Sequence, residues 1–273
     1  MERLVGWCFF ILTGVASAMP AHTPVPGGIA IVRLGAASHA TESPAIHFQG
    51  RRVLVVRNAN DWLAIVGIPL DTKPGTATLE VEGSGERPPV THSFVVAAKQ
   101  YPVQKLTISD HRKVDPQPED MKRILREQEV ITKVRTHWAP GEAVDLALML
   151  PADAPLSSRF GLRRVLNGQS RNPHNGLDLA VPRGTPIRST AAGSVTFAGD
   201  LFFAGKTVFV DHGQGLISMY AHLDEIGVRV GEQLARGQRL GLSGMTGRVT
   251  GPHLHWTIYL NGTAVDPEYF IRP

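Results

Sequence analysis

Short apolar segments cut by glycine and proline set the architecture of this chain. From Phe160 onward a turn residue stands at nearly every junction, so few intervals can hold a helix. The apolar pieces at 194–198, 207–211, 216–220, 239–243 and 255–260 read as strands. Asn261-Gly262 is a strong hairpin signal joining 256–260 to 263–265. Earlier in the chain, 52–56, 62–66, 77–81 and 92–96 are rich in β-branched and aromatic residues. Turn signals separate them at Asn58-Ala59-Asn60-Asp61, Lys73-Pro74-Gly75 and Gly83-Ser84-Gly85. The pattern predicts a mainly β protein: a small antiparallel β-sandwich over 29–110 and an antiparallel β-sheet domain over 139–273.

One segment breaks the β pattern. Over 116–137, Met121, Ile124, Leu125, Ile131 and Val134 recur at helical spacing. Asp115-Pro116 opens this stretch, Glu119 and Asp120 suit its first turn, and Trp138-Ala139-Pro140-Gly141 stops it. It predicts an amphipathic linking helix within 115–138, packed between the two units.

The first eighteen residues read as an export signal: Arg3, an apolar stretch from Leu4 to Val15, and the A-x-A site Ala16-Ser17-Ala18. The stretch is too short for a stable membrane anchor. The single cysteine, Cys8, falls inside it, so a processed chain has no thiol and must bind metal through nitrogen and oxygen. Export fits that absence. A net charge of +4 favours anionic surfaces such as a cell wall. With no basic run or stripe, nucleic acid is not an expected partner.

Five of the eleven histidines lie between His174 and His255. His39, His47 and His92 are scattered and read as ordinary. His174 and Asp178 sit in His174-Asn175-Gly176-Leu177-Asp178, where the flanking Pro173, Pro182 and Gly184 rule out a helix. A loop running into a short strand would bring both side chains to one point. His253 and His255 flank Leu254, so on a strand both imidazoles share a face while Leu254 enters the core. Both could bind one metal, or one could bind while the other acts beside it; spacing does not choose. Two imidazoles and a carboxylate suit one zinc ion with a fourth place left for water. Zinc would lower the pKa of that water from about 16 toward 7. There is no His-Glu-x-x-His, so a remaining histidine would have to serve as acid and base.

These stretches resemble the lysostaphin-type (M23) zinc metallopeptidases, which cut peptide cross-links of peptidoglycan. The resemblance covers about 156–267 and includes Ser158-Arg159-Phe160-Gly161, the His174–Asp178 stretch, Ala191-Ala192-Gly193-Ser194-Val195, Asp211-His212-Gly213, Tyr220-Ala221-His222-Leu223, Gly237-Gln238 and His253-Leu254-His255. It implies that His174, Asp178 and His255 bind zinc, and that His222 and His253 act as acid/base or oxyanion-stabilising groups. It also implies a structural role for His212. The N-terminal part resembles the β-rich accessory domain of Gram-negative relatives, which implies a role in positioning substrate or covering the groove. A regulatory protein, or inhibition by the N-terminal region itself, is a further expectation. The expected activity is therefore zinc endopeptidase action on peptidoglycan cross-links, with the D-Ala-diaminopimelate bond favoured over Gly-Gly.

Two other readings carry less. A non-catalytic cell-wall-binding or hydrolase-activating module would be expected to lack one of the five polar positions, and all five are filled. A biotinyl or lipoyl carrier would present a modified lysine. The only lysine after residue 150 is Lys206, and Met-Lys-Met is absent.

Overall fold

The computed structural model describes residues 19–37, 43–82, 89–141 and 144–271. The expected export segment, His39 and the turn at 83–85 lie outside the described residues.

The N-terminal unit is the expected antiparallel sandwich. Its strands are β1 (Ile29–Ala36), β2 (Ile46–Phe48), β3 (Arg51–Arg52), β4 (Leu54–Asn58), β5 (Asp61–Gly67), β6 (Gly75–Val81) and β7 (Val90–Val96). One sheet runs β1-β5-β4 and the other β3-β2-β6-β7. Side-chain alternation then sorts the apolar residues of the first sheet. Val53, Val55, Ala64 and Val66 turn into the sandwich with Phe48 and Leu79. Leu54, Val56 and Ile65 turn the other way, into a core shared with Trp256, Ile258 and Leu260. A sheet buried on both faces reads as a continuous apolar run instead of an alternating one, as 53–56 does. Leu54 and Ile65 are fully buried, which stabilises the joined units by about 1.5–3 kcal/mol per side chain.

Polar contacts cross the same junction. The Asn261 side chain accepts from Gly67 N at 2.7 Å and donates to Gly67 O at 3.1 Å. Gln214 Oε1 accepts from Val55 N at 3.0 Å. Each satisfies backbone that the junction would otherwise bury unpaired. Asn261 also forms the expected hairpin turn, with a φ of 39° and Gly262 following at 72°.

After the sandwich, β8 (Val103–Leu106) leads to the helix α1 (Pro118–Arg135). The helix begins later than Asp115-Pro116 suggests because Pro118 takes the first helical position, leaving Gln117 as the extended cap. Asp120 accepts from Gln117 N and pairs with Arg112 at 2.6 Å. Expected between the two units, α1 instead packs Ile131 and Val134 on the C-terminal sheet, against residues including Phe209, Ile217 and Tyr259. Met121 and Leu125 are exposed. No helix among the described residues is long and apolar enough to cross a membrane.

The C-terminal unit contributes β9 (Leu156–Ser158), β10 (Arg163–Leu166), β11 (Gln169–Ser170), β12 (Leu177–Leu179), β13 (Pro186–Arg188), β14 (Gly193–Leu201), β15 (Gly205–Asp211), β16 (Ile217–Ile226), β17 (Gln233–Leu234), β18 (Arg239–Ser243), β19 (Leu254–Leu260) and β20 (Thr263–Val265). The main sheet follows β17-β14-β15-β16-β19-β12-β9, with β18 bridging β13 and β16 and with β20 beside β19. β8 pairs in parallel with β10, an exception to the antiparallel rule that ties the linker to the C-terminal unit.

Candidate metal centre and its flanking histidines

Three neighbouring strands set the site. β12 and β19 pair with Asp178 opposite His255, and β19 pairs with β16 with His255 opposite Ala221. His174 enters from the loop before β12. Its Nε2 lies 3.0 Å from Asp178 Oδ1 and 3.0 Å from His255 Nδ1, while His255 Nδ1 is 2.8 Å from Asp178 Oδ1. These three buried residues form a cluster that can hold a metal ion, with their ligand atoms all within 4.8 Å.

Gly176 makes this convergence possible. A Cβ there would stand 2.4 Å from the Trp256 carbonyl oxygen and 2.9 Å from the His255 ring. Only a residue without a side chain lets the loop before β12 lie this close to β19.

His222 arrives differently. β16 carries an irregularity opposite Thr207, since Lys206 pairs with Leu223 but Val208 pairs with Tyr220. Two residues of β16 therefore face one of β15, and His222 takes a φ of 64°, unusual for histidine. The bulge aims its ring to 4.8 Å from the His253 ring and 5.9 Å from that of His255. Strain of this kind persists where the surroundings hold it and is frequent at functional sites. His253 Nε2 lies 3.9 Å from Asp178 Oδ1, further out than either His174 or His255.

Hydrogen bonds on the far side of each ring choose its tautomer. His174 Nδ1–H donates to the Arg159 carbonyl at 2.7 Å, which leaves Nε2 with a lone pair toward Asp178. His255 Nε2 meets Thr257 Oγ1 at 3.0 Å, which leaves Nδ1 free for the same point. His222 Nδ1–H donates to Thr246 O and His253 Nδ1–H to Gly251 O, each at 2.8 Å. Both rings thus engage Nδ1 with backbone carbonyls and keep Nε2 clear of those bonds, beside a centre built from two nitrogens and an oxygen. That donor set fits a divalent ion of the zinc type.

Electrostatics agree. Burial would raise the Asp178 carboxyl, but the adjoining His174 and His255 imidazoles reverse this and hold it well below its ordinary range. Burial pushes His255 down to about 4. Burial, then the neighbouring His253 and His255, hold His222 well below its ordinary value. Asp178 is therefore an ionised carboxylate and His222 and His255 are neutral imidazoles near pH 7, the forms that coordinate metal and accept protons.

All five residues expected from the sequence come together here. His212 stands apart: it is buried, with Nδ1 at 2.7 Å from Ala192 O and Nε2 at 2.8 Å from Ser218 Oγ. Sequence reasoning missed Arg164, whose Nη2 donates to Asp178 Oδ2 at 3.2 Å, and Thr257, which orients His255. Thr257 could have been found, because it continues into β19 the alternation begun by His253 and His255. Arg164 sits in no motif that would single it out.

Residues 172–267 match the model for peptidase family M23, and residues 22–99 match the model for the M23 family N-terminal domain. A crystal structure from Pseudomonas aeruginosa, named for its family alone as a peptidase M23, is similar over 91% of this chain and 95% of that one, at 46% identity and a TM-score of 0.77. The peptidoglycan DD-endopeptidase ShyA of Vibrio cholerae is 44% identical over 41% of this chain and 26% of its own length. The DD-carboxypeptidase/endopeptidase Mpg of Neisseria meningitidis is 39% identical over 43% of this chain and 27% of its own. These matches span about a quarter of the length of those curated relatives.

Proposed function

The chain belongs to peptidase family M23, and from that premise we propose that it is an exported zinc endopeptidase hydrolysing peptide cross-links of peptidoglycan. The similarity to ShyA and Mpg supports the substrate class and favours a D,D bond such as D-Ala-diaminopimelate. The sequence pattern of residues 1–18 supports export, with the periplasm as destination.

The observation that carries the proposal is the pairing of the His174–Asp178–His255 cluster with two further imidazoles, each held through Nδ1 by a backbone carbonyl. His174, Asp178 and His255 would hold one zinc ion. When bound, the ion supplies Lewis acidity and lowers the pKa of a water molecule. His222 and His253 divide the proton work. One Nε2 accepts a proton as water oxygen bonds to the scissile carbonyl carbon. When the carbon–nitrogen bond breaks, the leaving amine takes a proton from an imidazolium, so the rings return to neutral. Whichever ring is then cationic also stabilises the negative charge developing on the carbonyl oxygen. Arg164 orients Asp178, and the Arg159 carbonyl and Thr257 orient the ligand imidazoles.

Digestion of diaminopimelate-type peptidoglycan, with and without a chelator and read by mass spectrometry, tests this. Conversion of cross-linked dimers to monomers is expected, stopped by the chelator and restored by zinc. Conversion that persists in the metal-stripped protein contradicts the proposal.

A further inference from the structure

The loop between β18 and β19 does more than carry His253. Its Thr246 and Gly251 carbonyls orient His222 and His253, and between these two carbonyls the chain places Arg248. Arg248 is half-buried, with its guanidinium 4.5 Å from the centre of the Phe203 ring. Its one side-chain hydrogen bond among the described residues is a 3.4 Å contact from Nη1 to the Lys113 carbonyl. No carboxylate pairs with it among the described residues, although its charge acts on two neighbouring guanidiniums, those of Arg164 and Arg171.

Those two neighbours are already committed. Arg171 pairs with Asp115 at 3.3 Å and donates to Val114 O at 2.9 Å. Arg164 pairs with Asp178, whose own charge is drawn to the metal centre, and its buried Nε has no partner. Arg248 is thus the member of a three-arginine cluster left without an acid, at the rim of the site. Burial, reinforced by the other two cations, lowers its pKa to about 10. A partly desolvated cation among like charges is unfavourable alone and becomes favourable when an anion arrives. The planar fork of arginine suits a carboxylate.

We propose that Arg248 forms a carboxylate-binding subsite that recognises an acid group next to the scissile amide. This rests on the endopeptidase reading above and deepens it. In a D-Ala-diaminopimelate link, the carbon bearing the amide nitrogen also bears a free carboxylate, whereas a Gly-Gly bridge offers none there. The subsite therefore selects the first bond on charge, and a substrate with that carboxylate amidated should be handled poorly.

The test compares a peptide dimer containing the D-Ala-diaminopimelate bond with the same dimer amidated at that carboxylate, using the zinc-loaded full chain, the wild type and Arg248→Gln. The wild type should cleave the free acid with a KM about 10-fold or more below that for the amide. Arg248→Gln should raise KM for the free acid by a similar factor, leave kcat and zinc content near wild type, and leave the amide unchanged. Arg248→Lys should recover part of the loss. Equal KM values for acid and amide in the wild type would overturn the subsite while leaving the peptidase reading intact. A second readout needs no turnover: calorimetric binding of diaminopimelate tripeptide, free or amidated, to the wild type and Arg248→Gln. If neither dimer is cleaved, the peptidase reading fails, and tripeptide binding that ignores both amidation and Arg248 then overturns the subsite as well.

Discussion

The N-terminal sandwich and the C-terminal sheet are built from the same kind of short antiparallel strands, yet they bury different chemistry. Among the described residues, no buried polar or charged side chain precedes Asp120, and every other one lies at Ser158 or beyond. The sandwich core is apolar throughout, with Phe48, Val55, Val66 and Leu79. The C-terminal sheet places Asp178, Ser218, His255 and Thr257 in its interior, where each is held by partners. Burying a polar group costs free energy unless it is paired, so an interior that accepts many is committed to a site. The sandwich supplies the complement: the face of β1-β5-β4 carrying Leu54 and Ile65 covers the core under that site.

If the polar interior is the working part, crowding it should hurt most. Gly176→Ala should push the loop before β12 off β19 and lower activity by about 100-fold, since small misplacements at a reacting centre cost that much. Rates measured beside circular-dichroism spectra would check this; near-normal rates would mean the close approach at Gly176 does not set the site. If the two units share one core, Ile65→Ala should destabilise the whole chain by about 2–5 kcal/mol in a single cooperative transition. Denaturant unfolding followed by probes in each unit tests it, and two separated transitions would show independent domains. A smaller loss, about 1–3 kcal/mol, is expected for Asn261→Ala, which strands the buried Gly67 N–H and C=O. An unchanged denaturation midpoint would assign that junction to packing alone.

A pH effect sharpens the contrast further. His212 is fully enclosed and its pKa is lowered by burial from an unfolded value of 6.5. The unfolded chain then binds the proton more readily, so the stability this residue contributes is present above about pH 6.5 and declines as pH falls below it. His212→Gln should flatten that part of a plot of melting temperature against pH. An identical slope would remove His212 as the cause. The sandwich has no buried histidine among its described residues.

Much of this was legible in the chain because its signals are local. Asn261-Gly262 marks a hairpin by itself, and His253, Leu254 and His255 announce a strand with one polar face. β1 was not legible: it follows a Pro- and Gly-rich entry, and its pairing slips between Arg33 and Gly35. Strands as short as β11 and β17 hold two residues each, too few for any period. The parallel pair of β8 with β10 joins Val103 to Arg163 and leaves no trace near either. In the site, the five expected residues carry motif spacing, whereas Arg164 and Arg248 are placed by tertiary structure alone.

In the proposed site, five polar residues divide into a metal-holding set and a proton-handling pair. Zinc content and hydrolysis measured on the same preparations of His174→Ala and His253→Ala test it most directly. His174→Ala should lose both metal and activity. His253→Ala should keep most of its zinc while its rate falls by about 100-fold or more. Loss of zinc from His253→Ala as complete as from His174→Ala would contradict the division.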